Sequence, residues 1–207
     1  MKRLMLTMAI MAMGTLSAFA QNTLTNEYDF GKITKIEASS IFDIEVTQGN
    51  TKKVTVVYDE VFKDRLEITG ILGKLELNLS QAPFKRDNSK KNAGIKVYLQ
   101  MPTIEEIDLS GASKLKAEGV FTTDELDIEL SGATSVKGLQ AKGTELSIDC
   151  SGASSLQMSA NFKYVDTELS GASKLTYTGD SQAFDGDFSG AINATFYGDH
   201  TKTEIEC

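Results

Sequence analysis

The sequence predicts an all-β protein, a right-handed parallel β-solenoid of roughly twenty-residue coils with a β-rich N-terminal half. Three observations predict it. The triplet Ser-Gly-Ala occurs five times, at Ser110-Gly111-Ala112, Ser131-Gly132-Ala133, Ser151-Gly152-Ala153, Ser170-Gly171-Ala172 and Ser189-Gly190-Ala191. The gaps between successive serines are 21, 20, 19 and 19 residues. Before each serine, apolar residues fall on every second position, the period of a strand with one face inward.

In chain order, the first twenty residues read as an export segment. Lys2 and Arg3 precede an apolar run from Leu4 to Met13, and Ala18-Phe19-Ala20 has the small-x-small pattern of a cleavage site. The mature chain is expected to begin at Gln21. No cysteine directly follows the cleavage site, where Gln21 stands, and no later run is long enough to span a membrane. The full chain carries a net charge of −8, which becomes −10 once Lys2 and Arg3 are removed. Such a balance argues against nucleic acid and anionic membranes as partners.

Residues 21–93 are expected to form a β-rich N-terminal half that starts or caps the solenoid. Ile33–Ala38 and Ile41–Val46 alternate, Gln48-Gly49-Asn50 is a turn, and Val54–Tyr58 follows. Leu66–Thr69 and Lys74–Leu79 flank a turn at Gly70–Gly73. Ala38-Ser39-Ser40-Ile41 reads as a worn copy of the corner. Gln81–Ala93, with Pro83, Lys85, Arg86, Lys90 and Lys91, reads as an exposed loop. Residues 94–198 hold the repeats, and 199–207 a tail or cap.

Within one repeat, the position before the serine holds Leu109, Leu130, Cys150, Leu169 and Phe188; two residues earlier stand Ile107, Ile128, Ile148, Thr167 and Gly186. Each unit therefore holds a strand, a tight corner and a second short strand, then a polar return. Glycine at Gly111, Gly132, Gly152, Gly171 and Gly190 opens a backbone region closed to most side chains. Alanine is expected where the interior narrows. Ser110, Ser131, Ser151, Ser170 and Ser189 are expected to hydrogen-bond neighbouring backbone or one another. A nucleophilic role fits them poorly, because no histidine accompanies them. A unit this short cannot bury its own apolar face, whereas stacked copies can. Helical repeats would need a 3.6-residue period, and a propeller blade needs roughly 40 residues. An antiparallel sandwich or meander is the alternative. Cys150 reads as a small buried apolar residue; whether it pairs with Cys207 is left open.

The outward positions are more unusual. Asp108, Glu129, Asp149, Glu168 and Asp187 stand two residues before the serines; Glu106, Asp127, Ser147, Asp166 and Asp185 stand four before. Stacking makes two columns of like charge. Neighbours roughly 5 Å apart in water repel by somewhat under 1 kcal/mol, a tolerable cost. Three roles are open: a solvated face that prevents lateral pairing, a weak cation site for which Ca²⁺ is the natural occupant and Asp108, Glu129, Asp149, Glu168 and Asp187 the candidate ligands, or a docking face for a basic partner or a glycan. No other cofactor is indicated. Lys114, Lys116, Lys137 and Lys174 are placed to soften the repulsion.

With these residues in view, the chain resembles the head GIN domain family, exported proteins of Bacteroidetes-type bacteria described as autotransporter adhesins. The resemblance spans about residues 29–198. It rests on IEASSIFDIEVTQG from Ile36 to Gly49, the strand pair after it, and the repeated Leu-Ser-Gly-Ala corner. It implies a β-solenoid and brings no catalytic residues. The sequence reading is an exported, non-enzymatic envelope adhesion or binding module, contacting an envelope protein or glycan. The alternatives are a self-assembling envelope scaffold, or a polysaccharide-active enzyme using Asp185 with Asp187 or Asp127 with Glu129. His200 is expected to be exposed.

Overall fold

The computed structural model describes residues 23–80 and 94–206. The expected export segment, the expected loop at Gln81–Ala93 and Cys207 lie outside the described residues. Among the described residues the regular structure is strand, with one 3-10 turn at Glu60–Phe62.

The N-terminal strands are β1 (Thr23–Asp29), β2 (Lys35–Ser40), β3 (Phe42–Gln48), β4 (Lys53–Asp59), β5 (Leu66–Ile71), β6 (Lys74–Leu79) and β7 (Ile95–Met101). The repeats supply β8 (Glu106–Gly111), β9 (Lys114–Glu118), β10 (Val120–Thr122), β11 (Glu125–Leu130), β12 (Ser135–Cys150), β13 (Ser155–Gly171), β14 (Lys174–Thr178), β15 (Ser181–Gly190), β16 (Asn193–Tyr197) and β17 (His200–Glu206).

The coils stack in parallel. One face runs β6–β2–β8–β11–β12–β13–β15–β17, with Leu75, Ile36, Ile107, Ile128, Ile148, Thr167, Gly186 and Ile205 in one register column. The second face runs β7–β3–β9–β12–β13–β14–β16, and Val97, Ile44, Leu115, Val136, Leu156, Leu175 and Ala194 share a column. These aliphatic columns are buried over most of their length, down to 0% exposure at Ile36, Ile44 and Ile107. Each inward residue covers its neighbours above and below, so burial no single coil could achieve is shared along the stack.

The antiparallel alternative survives only at the N-terminal end. There β5 pairs with β6, β4 with β7, and β1 with β4. Sequence order and spatial order also part here. The β2–β3 coil lies between the β6–β7 coil and the β8–β9 coil, because β4 and β5 double back and deliver β6 to the outside of β2. The turn that follows β4 carries Phe62, 4% exposed, into the end of the core. That turn is capped by Asp59, whose side chain accepts from the Val61 N–H at 3.1 Å.

Candidate functional site

The site is built on the corner. Ser39 and Ser40 stand in register with Ser110 and Gly111, so the worn copy holds the same place in the stack. Ser40 adopts φ +115, a region glycine occupies more readily. At the next coils the N–H groups of Ala133, Ala153, Ala172 and Ala191 donate to the carbonyls of Gly111, Gly132, Gly152 and Gly171 at 2.7–2.8 Å. The corner is therefore a backbone ladder, and a side chain on its glycines would strike the neighbouring coil.

Two expectations about the corner change. The alanines do not point into the narrowing interior; Ala112, Ala133, Ala153, Ala172 and Ala191 are exposed. The chain reverses face at the glycine, and the residue that re-enters the core is the next one: Ser113, Thr134, Ser154 and Ser173, all at or below 2% exposure. These buried hydroxyls, not the corner serines, carry the side-chain hydrogen bonds. Ser154 donates to the Ser151 carbonyl at 2.6 Å, and Ser173 to the Ser170 carbonyl at 2.6 Å. Thr134 and Ser154 are linked at 3.1 Å. The signal was present as a fourth repeat position, Ser-Gly-Ala-Ser/Thr, and a pattern read only for apolar residues passes over it. Ser110, Ser151 and Ser170 are half-buried at the bend, and Ser131 and Ser189 exposed.

From the corner backwards, each strand projects acids outward. Register places Glu76, Glu37, Asp108, Glu129, Asp149, Glu168, Asp187 and Glu206 in one unbroken column. The adjoining column is Lys74, Lys35, Glu106, Asp127, Ser147, Asp166, Asp185 and Glu204. Glu37, Glu76, Glu204 and Glu206 join these columns from strands without the Ser-Gly-Ala triplet, although Lys35-Ile36-Glu37 and Glu204-Ile205-Glu206 repeat the alternation of Glu106-Ile107-Asp108.

The two columns are electrically uneven along their length. At the N-terminal end Lys74 lies 2.6 Å from Glu106 and 3.2 Å from Glu37, and Lys35 lies 3.0 Å from Glu106. The hydrogen bond to Glu106 raises the Lys74 ammonium to about 12, against a smaller opposing effect of burial. Burial pushes the Glu106 carboxyl up, but its hydrogen bonds to Lys74 and Lys35 more than offset this and hold it below its ordinary value. Asp108 goes the other way: burial raises it, with the like charges of Glu129 and Glu37 adding to the shift. Of the lysines expected to soften the face, Lys116 pairs with Glu118 on its own strand at 2.7 Å. Lys114 and Lys174 lie on the second face, in line with Asp43 and Asn193 respectively.

Toward the C-terminal end a groove of about 370 Å³ opens along the acidic face. Glu125, Asp127, Glu145, Asp166, Asp185 and Glu204 line it, with Tyr164 and Lys202 among them and Leu146, Val165 and Phe184 as its apolar floor. Tyr164 is 51% exposed. The carboxylates proposed as an acid–base pair, Asp127 with Glu129 and Asp185 with Asp187, occupy adjacent outward columns repeated coil by coil. Among the described residues no three His, Cys, Asp or Glu side chains converge as a metal cluster. Asp108, Glu129, Asp149, Glu168 and Asp187 stand in single file.

Cys150 is a free, fully buried thiol between Leu130 and Leu169 in the interior column, and burial pushes it up to about 12. His200 is not exposed as expected. It is half-buried, 2.8 Å from the Ser181 hydroxyl through Nδ1, with its ring 5.4 Å from that of Phe184. The aromatic residues Tyr177, Phe184 and Phe196 gather at this end and draw the imidazole inward.

Residues 32–181, well over half of the chain, match the family described as "Putative auto-transporter adhesin, head GIN domain". The chain belongs to the head GIN domain family. Solved structures share the fold at low sequence identity. An adhesin-type protein from Bacteroides fragilis is similar at 16% identity and a TM-score of 0.59, with 89% of this chain and 98% of that one covered. A protein from Parabacteroides distasonis described as lipid binding is similar at 11% identity and a TM-score of 0.50, covering 89% and 97%. No curated protein matches the chain. The head GIN match ends at the start of β15, so the last coils, which complete the groove, lie beyond it. No helix among the described residues is long and apolar enough to cross a membrane.

Proposed function

We propose that this head GIN domain protein is an exported, non-enzymatic adhesion module of the cell envelope that binds through the carboxylate face of its solenoid. The observation that carries the reading is the uneven charge of the two columns. Lysines neutralise the acids at the N-terminal end, while the C-terminal half presents Asp127, Asp166, Asp185 and Glu204 around the groove. A face needed only for solubility gains nothing from a groove with an apolar floor and an exposed tyrosine. Identical groups repeated at the coil spacing of about 4.8 Å suit a repetitive or multivalent ligand, because each further contact is made at high effective concentration. A basic segment of an envelope protein, or a glycan stacking on Tyr164, fits that chemistry.

Enzymatic cleavage of polysaccharide is the weaker reading. It needs one acid and one base converging on a single bond in unlike environments, and the pairs in question, Asp127 with Glu129 and Asp185 with Asp187, stand in adjacent columns repeated coil by coil. The test is binding of immobilised residues 21–207 to a glycan array and to solubilised envelope fractions at low and high salt. The expected result is retention of a basic protein or a glycan that is lost in Asp166→Asn/Asp185→Asn/Glu204→Gln and kept in Asp43→Asn. Equal retention by both variants would remove the acidic face as the binding surface.

A further inference from the structure

The two ends of the solenoid are unlike. At the N-terminal end the Phe62 turn and antiparallel β1, β4 and β5 close the core. At the other end β16 and β17 are the outermost strands among the described residues. Their inward positions are left uncovered: Ile205 is 46% exposed, and Ile192, Ala194 and Phe196 are only half-buried. Among the described residues, backbone groups are left without strand partners here as well. Asp127 N–H donates back to the preceding coil, at the Glu105 carbonyl, and Glu204 stands in the Asp127 column. Alternation along the strand then turns the N–H and C=O of Thr203 and Ile205 outward, to the open side.

We propose that a second copy of this chain covers this end, tail to tail, with β17 pairing antiparallel to β17 about a two-fold axis through Glu204. Residues opposite each other in such a pair must share a face, so the axis passes through a residue. An axis through Lys202 sets lysine against lysine. One through Ile205 sets Glu204 against Glu206 twice. One through Thr203 sets Thr201 opposite Ile205, but the Ser181 N–H donates to the Asp199 carbonyl, which turns the Thr201 backbone groups toward β15 and leaves those of Ile205 unpaired.

The axis through Glu204 uses the outward backbone groups of both Thr203 and Ile205. Thr203 lies opposite Ile205 of the second copy in both directions, which satisfies all four of their donors and acceptors per junction side and buries their side chains inward. On the outer face Lys202 meets Glu206 of the second copy, twice, and the one unfavourable contact is Glu204 against itself. The same operation brings β16 of both copies to the junction, because Phe196 packs 4.6 Å from Phe184, the register neighbour of Thr203. The acidic columns then continue from one molecule into the next, which doubles the length of the outer face.

The register makes opposite predictions for neighbouring residues. Sedimentation of residues 21–207 carrying Cys207→Ser, up to about 100 μM, should show a reversible monomer–dimer equilibrium. Lys202→Glu should weaken the dimer by about tenfold or more, and Lys202→Glu/Glu206→Lys should restore it. Glu204→Gln should tighten it. In the same background, Glu204→Cys should form a disulfide-linked dimer under mild oxidation, because the two sulfurs meet at a close non-hydrogen-bonded pair, while Thr203→Cys should not. All of these positions are exposed, and unchanged circular dichroism confirms that each variant folds. A single species of monomer mass across the concentration range overturns the proposal. Weakening by Glu204→Gln, or crosslinking of Thr203→Cys as readily as Glu204→Cys, overturns the register on which it stands.

Discussion

Replacing Gly152 with alanine tests the corner most directly, because the structure separates two costs that usually come together. Gly152 has φ +71, and a Cβ there would lie 2.6 Å from the carbonyl oxygen and 3.0 Å from the nitrogen of Gly132 in the coil before it. Gly31 has almost the same backbone, φ +77, yet a Cβ there would meet nothing within 4 Å. The left-handed conformation alone costs an alanine about 1–2 kcal/mol. Forcing a methyl group against backbone adds about 1–3 kcal/mol. That carbonyl also accepts the Ala153 N–H at 2.7 Å, so the methyl cannot be accommodated without opening a rung of the ladder. Gly31→Ala should therefore lose only the first contribution, and Gly152→Ala about 2–5 kcal/mol. For a chain of this size each kcal/mol corresponds to a melting shift of about 2–4 °C, so Gly152→Ala should melt about 5–15 °C below the parent. Thermal unfolding followed by far-ultraviolet circular dichroism reads both variants. If Gly152→Ala fell no further than Gly31→Ala, the close approach of corner backbones would not be a determinant of stability, and the ladder would be an incidental consequence of stacking.

Other outcomes follow from the charge columns and the stack. Lys74→Met should cost about 0.5–1 kcal/mol at low salt and much less at high salt, read by urea titration, because its two carboxylate partners are partly exposed. Glu106 titrates below its ordinary value in the folded protein, so its stabilisation is present above pH 4.5 and is lost as pH falls through the lowered folded value; Lys74→Met should flatten that acid-side loss. Asp108 is raised instead. In the window above 3.8 the folded state holds more protons than the unfolded chain, so this carboxyl lowers stability as pH rises through its folded value, and Asp108→Asn should raise the melting temperature at neutral pH. Deleting residues 131–150 removes one whole coil from β11 to β13 and should leave a folded protein about 5 Å shorter, measured by small-angle scattering. Millimolar Ca²⁺ and Mg²⁺ at equal ionic strength should shift melting equally; a Ca²⁺-specific shift abolished by Asp149→Asn/Glu168→Gln/Asp187→Asn would show that the single-file acids bind the ion.

Much of the site was legible because a solenoid turns sequence period into spatial column. Once Ser110, Ser131, Ser151, Ser170 and Ser189 are aligned, the residues two before each of them must stack, and the register bears this out for Asp108 through Asp187. What escaped was of two kinds. The buried Ser113, Thr134, Ser154 and Ser173 lie outside any pattern of apolar residues, because a hydroxyl that reaches a nearby carbonyl is satisfied inside. Glu37, Glu76 and Glu206 escaped because their strands lack the Ser-Gly-Ala mark that sets the alignment.

By itself, then, the sequence determined the coil length, the inward and outward alternation and the location of the glycine corners, since each depends on residues close along the chain. Only the tertiary structure decided the order of the first coils. The β6–β7 coil lies outside the β2–β3 coil because β4 and β5 reverse direction, and nothing in the local alternation of Lys74–Leu79 says which neighbour it will cover. That same arrangement sets Lys74 and Lys35 beside Glu106 and leaves the far carboxylates to the groove, so the electrical polarity of the face comes from long-range stacking of strands whose own patterns are nearly interchangeable.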